Sequence, residues 1–156
     1  MALSVKKTSL WRREVDNRPG TLAKTLQPLA DANADLEIVM AYGMGNKAVV
    51  EVAPVNGKRS TTAAAQAGLL ESRIPAVVAT GENRAGLGHA FASAIGDAGI
   101  NISFLVAHTV GNRFSSVFGF DSEADADRAI SLIKNAASGR RTKAASTRPR
   151  QPVARA

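Results

Sequence analysis

The feature that most constrains this chain is an internal repeat. Sliding the sequence by 66 residues aligns residues 16–54 with 82–120 without a gap. Each copy opens on an elbow, DNRPG at residues 16–20 and ENRAG at 82–86. Asn17/Asn83, Arg18/Arg84, Gly20/Gly86, Asp31/Asp97, Ala32/Ala98, Ala41/Ala107, Gly45/Gly111 and Asn46/Asn112 are identical, and Leu29/Ile95, Leu36/Ile102 and Val52/Phe118 keep apolar character. Several of the identities are turn or cap residues, so what repeats is backbone geometry.

Local patterns give the elements of each copy. After the second elbow, Leu87, Phe91, Ile95 and Ala98 recur at helical spacing, and Gly99 stops the run. In the first copy Leu22, Leu26, Leu29 and Asn33 take those positions, with Pro19 in the first turn. Pro28 should kink or loosen that helix. The stretches LEIVMAYGMGNKAVVEV and INISFLVAHTVGNRFSSVFGF each hold two β-rich runs around a Gly-Asn turn. A second helix follows: DSEADADRAISLIKNA has a Ser122/Asp125 capping box and acids at its start, whereas GKRSTTAAAQAG places Lys58 and Arg59 where the helix dipole disfavours them. LLESRIPAVVATG then runs extended from one copy into the next.

Strand–helix–strand–strand–helix–strand, twice, predicts an α+β chain of two ferredoxin-like βαββαβ units, each an antiparallel sheet with helices on one face. The units are expected at residues 5–72 and 73–138. The second has no evident last strand, so that sheet edge is either absent or covered by something else, such as another subunit.

The net charge of +7 is mostly a property of the C-terminus. Residues 139–156 carry Arg140, Arg141, Lys143, Arg148, Arg150 and Arg155 and no acid, with two prolines and no apolar periodicity, and are expected to be a disordered basic tail. There is no cysteine, which excludes disulfides, thiolate metal sites and a cysteine nucleophile. Two histidines, His89 and His108, make no zinc motif; GLGHAF lacks the spacing and lysine of a phosphate loop. No grouping of acid, base and nucleophile reads as an active site, so an enzyme is not expected, nor any cofactor. MALSVKKTSL lacks the apolar run of a signal peptide and no stretch approaches a membrane span, which predicts a cytoplasmic protein.

The two elbows, each leading into a helix, and the AGINI stretch at residues 98–102 resemble the ACT domain, a small regulatory module of amino-acid metabolism. The resemblance covers residues 8–137; Ala85 departs from the motif's proline in the second copy, and NADLE from its strand start in the first. It implies domains that pair side by side and bind an amino acid at the seam, where the elbow of one meets the first hairpin strand of its neighbour. It also implies a free-standing, ligand-responsive homodimer that signals to a partner.

The residues are compatible with such a seam. Gly20 and Gly86 let the backbone approach a ligand and turn into a helix, whose free N–H groups suit a carboxylate. Asn17 and Asn83 offer donor and acceptor together; Asp16 and Glu82 suit an ammonium, and Arg18 and Arg84 a carboxylate. Asn101 is a further candidate at the start of the second hairpin. The plainer alternatives are helix capping for the asparagines, support of the helix start for the acids, and solvation for the arginines. The functional alternatives are a docking subunit of a biosynthetic enzyme without its own ligand, and a nucleic-acid-associated regulator using the tail.

Overall fold

A computed structural model describes residues 3–139; all but the first residue of the expected basic tail therefore lies outside the described residues. In chain order the elements are β1 (Ser4–Thr8), β2 (Trp11–Asp16), α1 (Thr21–Asp31), β3 (Ile38–Met44), β4 (Lys47–Ala53), α2 (Gly57–Gln66), β5 (Leu70–Glu71), β6 (Ala76–Glu82), α3 (Leu87–Asp97), β7 (Ile102–Val110), β8 (Arg113–Phe120) and α4 (Glu123–Ala137). They form two four-stranded antiparallel sheets, ordered β3-β4-β2-β5 and β1-β6-β8-β7. This is the expected α+β pair of ferredoxin-like units, with one change of partner. The N-terminal strand β1 pairs with β6, Val5 opposite Ala79 and Thr8 opposite Ala76, and so supplies the edge that the second unit lacked. The first unit begins at β2, with Trp11 opposite Val52 on β4.

Two cores lie between the sheets and their helices. In the second unit Phe91, Ile95, Phe118, Phe120 and Ile133 are buried together. Phe91 meets Phe114 and Phe118 edge-on at centroid distances of 5.5 and 5.7 Å. Burying each such side chain stabilises the fold by roughly 1.5–3 kcal/mol relative to leaving it in water. The first unit packs smaller groups, with Leu29, Val50, Val52, Ala63 and Ala64 at its centre. A third cluster joins the helix-free faces of the two sheets: Leu10, Met40, Ala53, Ala76 and Val117, flanked by Ile38, Val78 and Phe104.

The stripe of α3 is as expected, Leu87, Phe91 and Ile95 being buried. That of α1 holds in part: Leu29 is buried and Leu26 packs against the core, but Leu22 is 40% exposed and Thr25 is buried in its stead. Thr25 tolerates burial because its hydroxyl donates to the Thr21 carbonyl at 2.9 Å. Pro28 does not interrupt α1, which continues to Asp31; so close to the end, the proline forfeits one helical hydrogen bond. The Ser122 side chain accepts from the Asp125 N–H at 3.1 Å, closing one half of the capping box. Arg59, misplaced for its own helix, donates to the Asp31 carbonyl at 3.3 Å and so serves the C-terminus of α1 instead. No helix among the described residues is long and apolar enough to cross a membrane.

Candidate functional site

The elbows dock onto their own hairpins. The Asn17 N–H donates to the Asn46 carbonyl at 2.9 Å, and the Asn83 N–H to the Asn112 carbonyl at 2.6 Å. The elbow and the turn of its hairpin are thus joined main chain to main chain in both copies. Past each asparagine the chain turns into its helix through Gly20 (φ +84) and Gly86 (φ +79), left-handed conformations that disfavour any residue with a Cβ. These glycines are the helix N-caps, so no side chain caps either helix and the asparagines are not caps. The first N–H of each helix is taken by its own elbow, Thr21 donating to the Arg18 carbonyl and Leu87 to the Arg84 carbonyl, both at 3.3 Å. Those of Leu22 and Ala23, and of Gly88 and His89, have no main-chain acceptor among the described residues and lie at the positive end of the helix dipole.

Beside each elbow lies a small cavity, about 170 Å³ at the first and about 140 Å³ at the second. The two are the same place in the repeat. Asn17, Thr21, Ala41, Tyr42, Ala48 and Val50 line the first; the residues 66 positions on, Asn83, Leu87, Ala107, His108, Phe114 and Ser116, line the second. Each cavity is walled by an elbow, the first turn of a helix and a sheet-edge strand, β3 or β7. Exposed apolar side chains stand along those edges, with Val39 at 47% and Leu105 at 38%.

The two copies use the same scaffold differently. The Asn17 amide donates to the Gly45 carbonyl at 3.1 Å. It can lie there because Gly43 has no side chain: a Cβ at that position would stand 2.8 Å from Asn17 Nδ2. The equivalent residue is Thr109, and the Asn83 side chain makes no hydrogen bond among the described residues. Asp16 is held by Lys47 at 2.7 Å, and that hydrogen bond, with the ammonium's charge, keeps its carboxyl below the usual range. Arg18 lines the first cavity and has no ion-pair partner among the described residues.

The other candidates lie apart from the cavities. Arg84 donates to the Ala136 carbonyl at 2.7 Å and so closes the C-terminus of α4. Asn101 donates to Asp121 at 3.1 Å, and the hydrogen bonds from Ser103 and Asn101 hold the Asp121 carboxyl low. Glu82 is exposed opposite Arg113 in the β6–β8 register. Only Asp16, Asn17 and Arg18 meet at the first cavity, and Asn83 alone of the candidates at the second. Sequence reasoning missed the strand residues Tyr42 and His108. Their signal was the alignment itself, which sets them two residues before Met44 and Val110 on the strands that face the elbows. No group of three or more His, Cys, Asp or Glu side chains suited to a metal occurs among the described residues.

No protein-family model and no curated protein matches the sequence. Solved structures match in fold. Protein BT0572 from Bacteroides thetaiotaomicron superposes with a TM-score of 0.68 at 14% identity, over 84% of this chain and 89% of that one. The ligand-free regulatory subunit of aspartate kinase from Thermus thermophilus superposes with a TM-score of 0.59 at 17% identity, over 87% and 97%. Aspartate kinase from Clostridium acetobutylicum gives 0.58 at 14% identity, over 88% of this chain and 34% of that larger one. The chain has the ACT-like fold of those regulatory subunits. At such identities the likeness concerns fold.

Proposed function

We propose that this chain is a regulatory protein without catalytic activity that binds a small amino acid at its elbow cavities. The observation that carries this reading is the recurrence of one cavity, built from corresponding residues, at both copies of the repeat. A structural elbow would need no hollow; two matching hollows beside the first turn of a helix, with two N–H groups of each turn lacking a main-chain acceptor among the described residues, suit a carboxylate. Asn83, with its amide free to donate and accept, is the principal side-chain contact, and Arg18 is the cation that would close on a carboxylate in the first cavity. The fold supports the reading, being that of a regulatory subunit of aspartate kinase.

Each cavity is smaller than the roughly 300–1,000 Å³ of a complete ligand site. Both open at a sheet edge with exposed apolar side chains, so a second copy against β3 or β7 would complete the site and make the ligand a bridge. Regulation then follows from linkage: a ligand that binds the paired arrangement better shifts the chain toward it by that difference in affinity. The altered surface is what a partner enzyme would recognise.

A second reading is favoured by the engaged side chains of Asp16, Asn17, Arg84 and Asn101. A chain that uses these groups internally suits a docking subunit with no ligand of its own. Thermal melting of the full chain against each of the twenty amino acids separates the two. One stabilising amino acid, with the shift lost in Asn83→Ala, supports ligand binding; no shift for any amino acid favours the docking subunit.

A further inference from the structure

A third cavity, unrelated to the elbows, lies where the two units meet. It measures about 370 Å³, more than twice either elbow cavity and within the range of complete small-molecule sites. Its two walls come from different units. One is β1, which with β6 belongs to the second sheet; the other is the start of β3 and the segment from β4 into α2, which belong to the first. β1 lies outside the segment aligned at residues 16–54 and 82–120.

Three polar side chains in this cleft, Lys6, Glu37 and Asn56, have no hydrogen-bond or ion-pair partner among the described residues. Lys6 stands opposite Val78 in the β1–β6 register, so its stem lies on the face that Val78 presents to the inter-sheet cluster. Unlike Lys7, which bridges Glu123 and Asp127, Lys6 has no ion pair among the described residues. Glu37, on the opposite wall, has none either. Asn56 occupies the N-cap of α2 yet makes no side-chain cap hydrogen bond. A cation from one unit and an anion from the other thus line the same cleft without forming an ion pair, together with Ile38, Pro54 and Val55.

The geometry points to a second binding site in this cleft, for a small zwitterion with a short apolar body. Its carboxylate would meet the Lys6 ammonium and its ammonium the Glu37 carboxylate, with Asn56 positioned to accept from or donate to either end. Such a ligand closes the gap between two opposite charges that the protein keeps apart. Since the charges belong to different units, occupancy ties the units together, which an elbow ligand does not do. The inference does not depend on the elbow cavities.

The test is a backbone amide NMR titration of the full chain with the twenty amino acids. It is repeated on Lys6→Ala, on Glu37→Gln and on the elbow variant Asn83→Ala. Expected are shifts at Lys6–Ser9, Glu37 and Asn56 for at least one amino acid, unchanged in Asn83→Ala. Lys6→Ala and Glu37→Gln each weaken that response by about tenfold, the loss of one charge-assisted hydrogen bond. Both side chains are exposed, so neither variant should perturb folding, and unchanged spectra elsewhere will show this. Shifts confined to the elbows, or none at all, overturn the inference, as do cleft shifts that survive both charge-removing variants. Loss of the elbow response alone counts against the elbow ligand and not against the cleft.

Discussion

Asn17 donates its side-chain amide to the Gly45 carbonyl at 3.1 Å, fastening the first elbow to the turn of its hairpin, and it does so in the space left by Gly43. Asn17→Ala should therefore cost about 1 kcal/mol, the net value of one such hydrogen bond. Asn83→Ala, which removes no side-chain hydrogen bond, should stay within about 0.5 kcal/mol of the parent. Gly43→Ala should displace the Asn17 amide and cost about as much as Asn17→Ala, and much of that cost should vanish when the two are combined. Urea unfolding of the four variants reads all of these differences.

The pair Arg12–Glu51 predicts a pH dependence. Glu51 has no exposed surface; it lies opposite Arg12 on β2 and Met40 on β3, and Tyr42 approaches it at 3.5 Å. Burial pushes its carboxyl up, partly opposed by the Arg12 guanidinium and the Tyr42 hydroxyl. Arg12 Nε comes within 3.5 Å of Oε1 without the alignment of a hydrogen bond, and both atoms lack one among the described residues. A carboxyl whose folded pKa is raised keeps its proton longer in the native state. Its contribution to stability is therefore full below the unfolded value near 4.5 and is lost as pH rises through the folded value. Unfolding measured from pH 4 upward should show a slope in the parent that is absent from Glu51→Gln. Arg12→Ala should cost about 1–3 kcal/mol at neutral pH by stranding the carboxylate, and little in the Glu51→Gln background.

Gly119 keeps the inter-sheet cluster closed. A Cβ there would lie 2.1 Å from the Phe104 ring, which packs against that cluster from β7. Gly119→Ala should cost about 1–3 kcal/mol through forced repacking. Adding Phe104→Ala should relieve that clash, so the pair should be less destabilising than the sum of the singles in thermal unfolding.

Strand β1 closes a sheet to which it does not belong in sequence. Removing residues 1–8 should leave β6 as an unpaired edge and take Leu3 and Val5 from the second core. Faster hydrogen exchange across β6 and concentration-dependent self-association are expected. Unchanged protection of Val77 and Ala79 would contradict the strand pairing.

Much of this fold was legible because the repeat doubles every weak local signal. The elbows, both Gly-Asn turns and the stripe of α3 follow from residue types alone. The stripe of α1 followed only in part: Leu29 is buried and Leu26 packs against the core as the pattern implies, but Leu22 is exposed and Thr25, a polar residue, takes a buried place. The 66-residue offset from Leu87, Phe91 and Ile95 marks Thr21, Thr25 and Leu29, so the alignment was the better guide. The placement of β1 was hidden for a different reason. Its pairing with β6 is set by an edge some seventy residues away, which no local pattern records. The site was less legible than the fold. Arg84 and Asn101 look like ligand groups in a linear reading, yet one closes the C-terminus of α4 and the other holds Asp121, partners that come near only after folding.

The central claim is that the elbow cavity at Asn83 receives an amino acid. Calorimetric titration of the full chain with the twenty amino acids, on the parent, Asn17→Ala and Asn83→Ala, tests it most directly. The account predicts that one amino acid binds the parent and that Asn83→Ala weakens it by about tenfold with thermal stability unchanged. Asn17→Ala should lower stability and weaken that binding far less. Equal affinity in the parent and Asn83→Ala, or no heat from any amino acid, would contradict it.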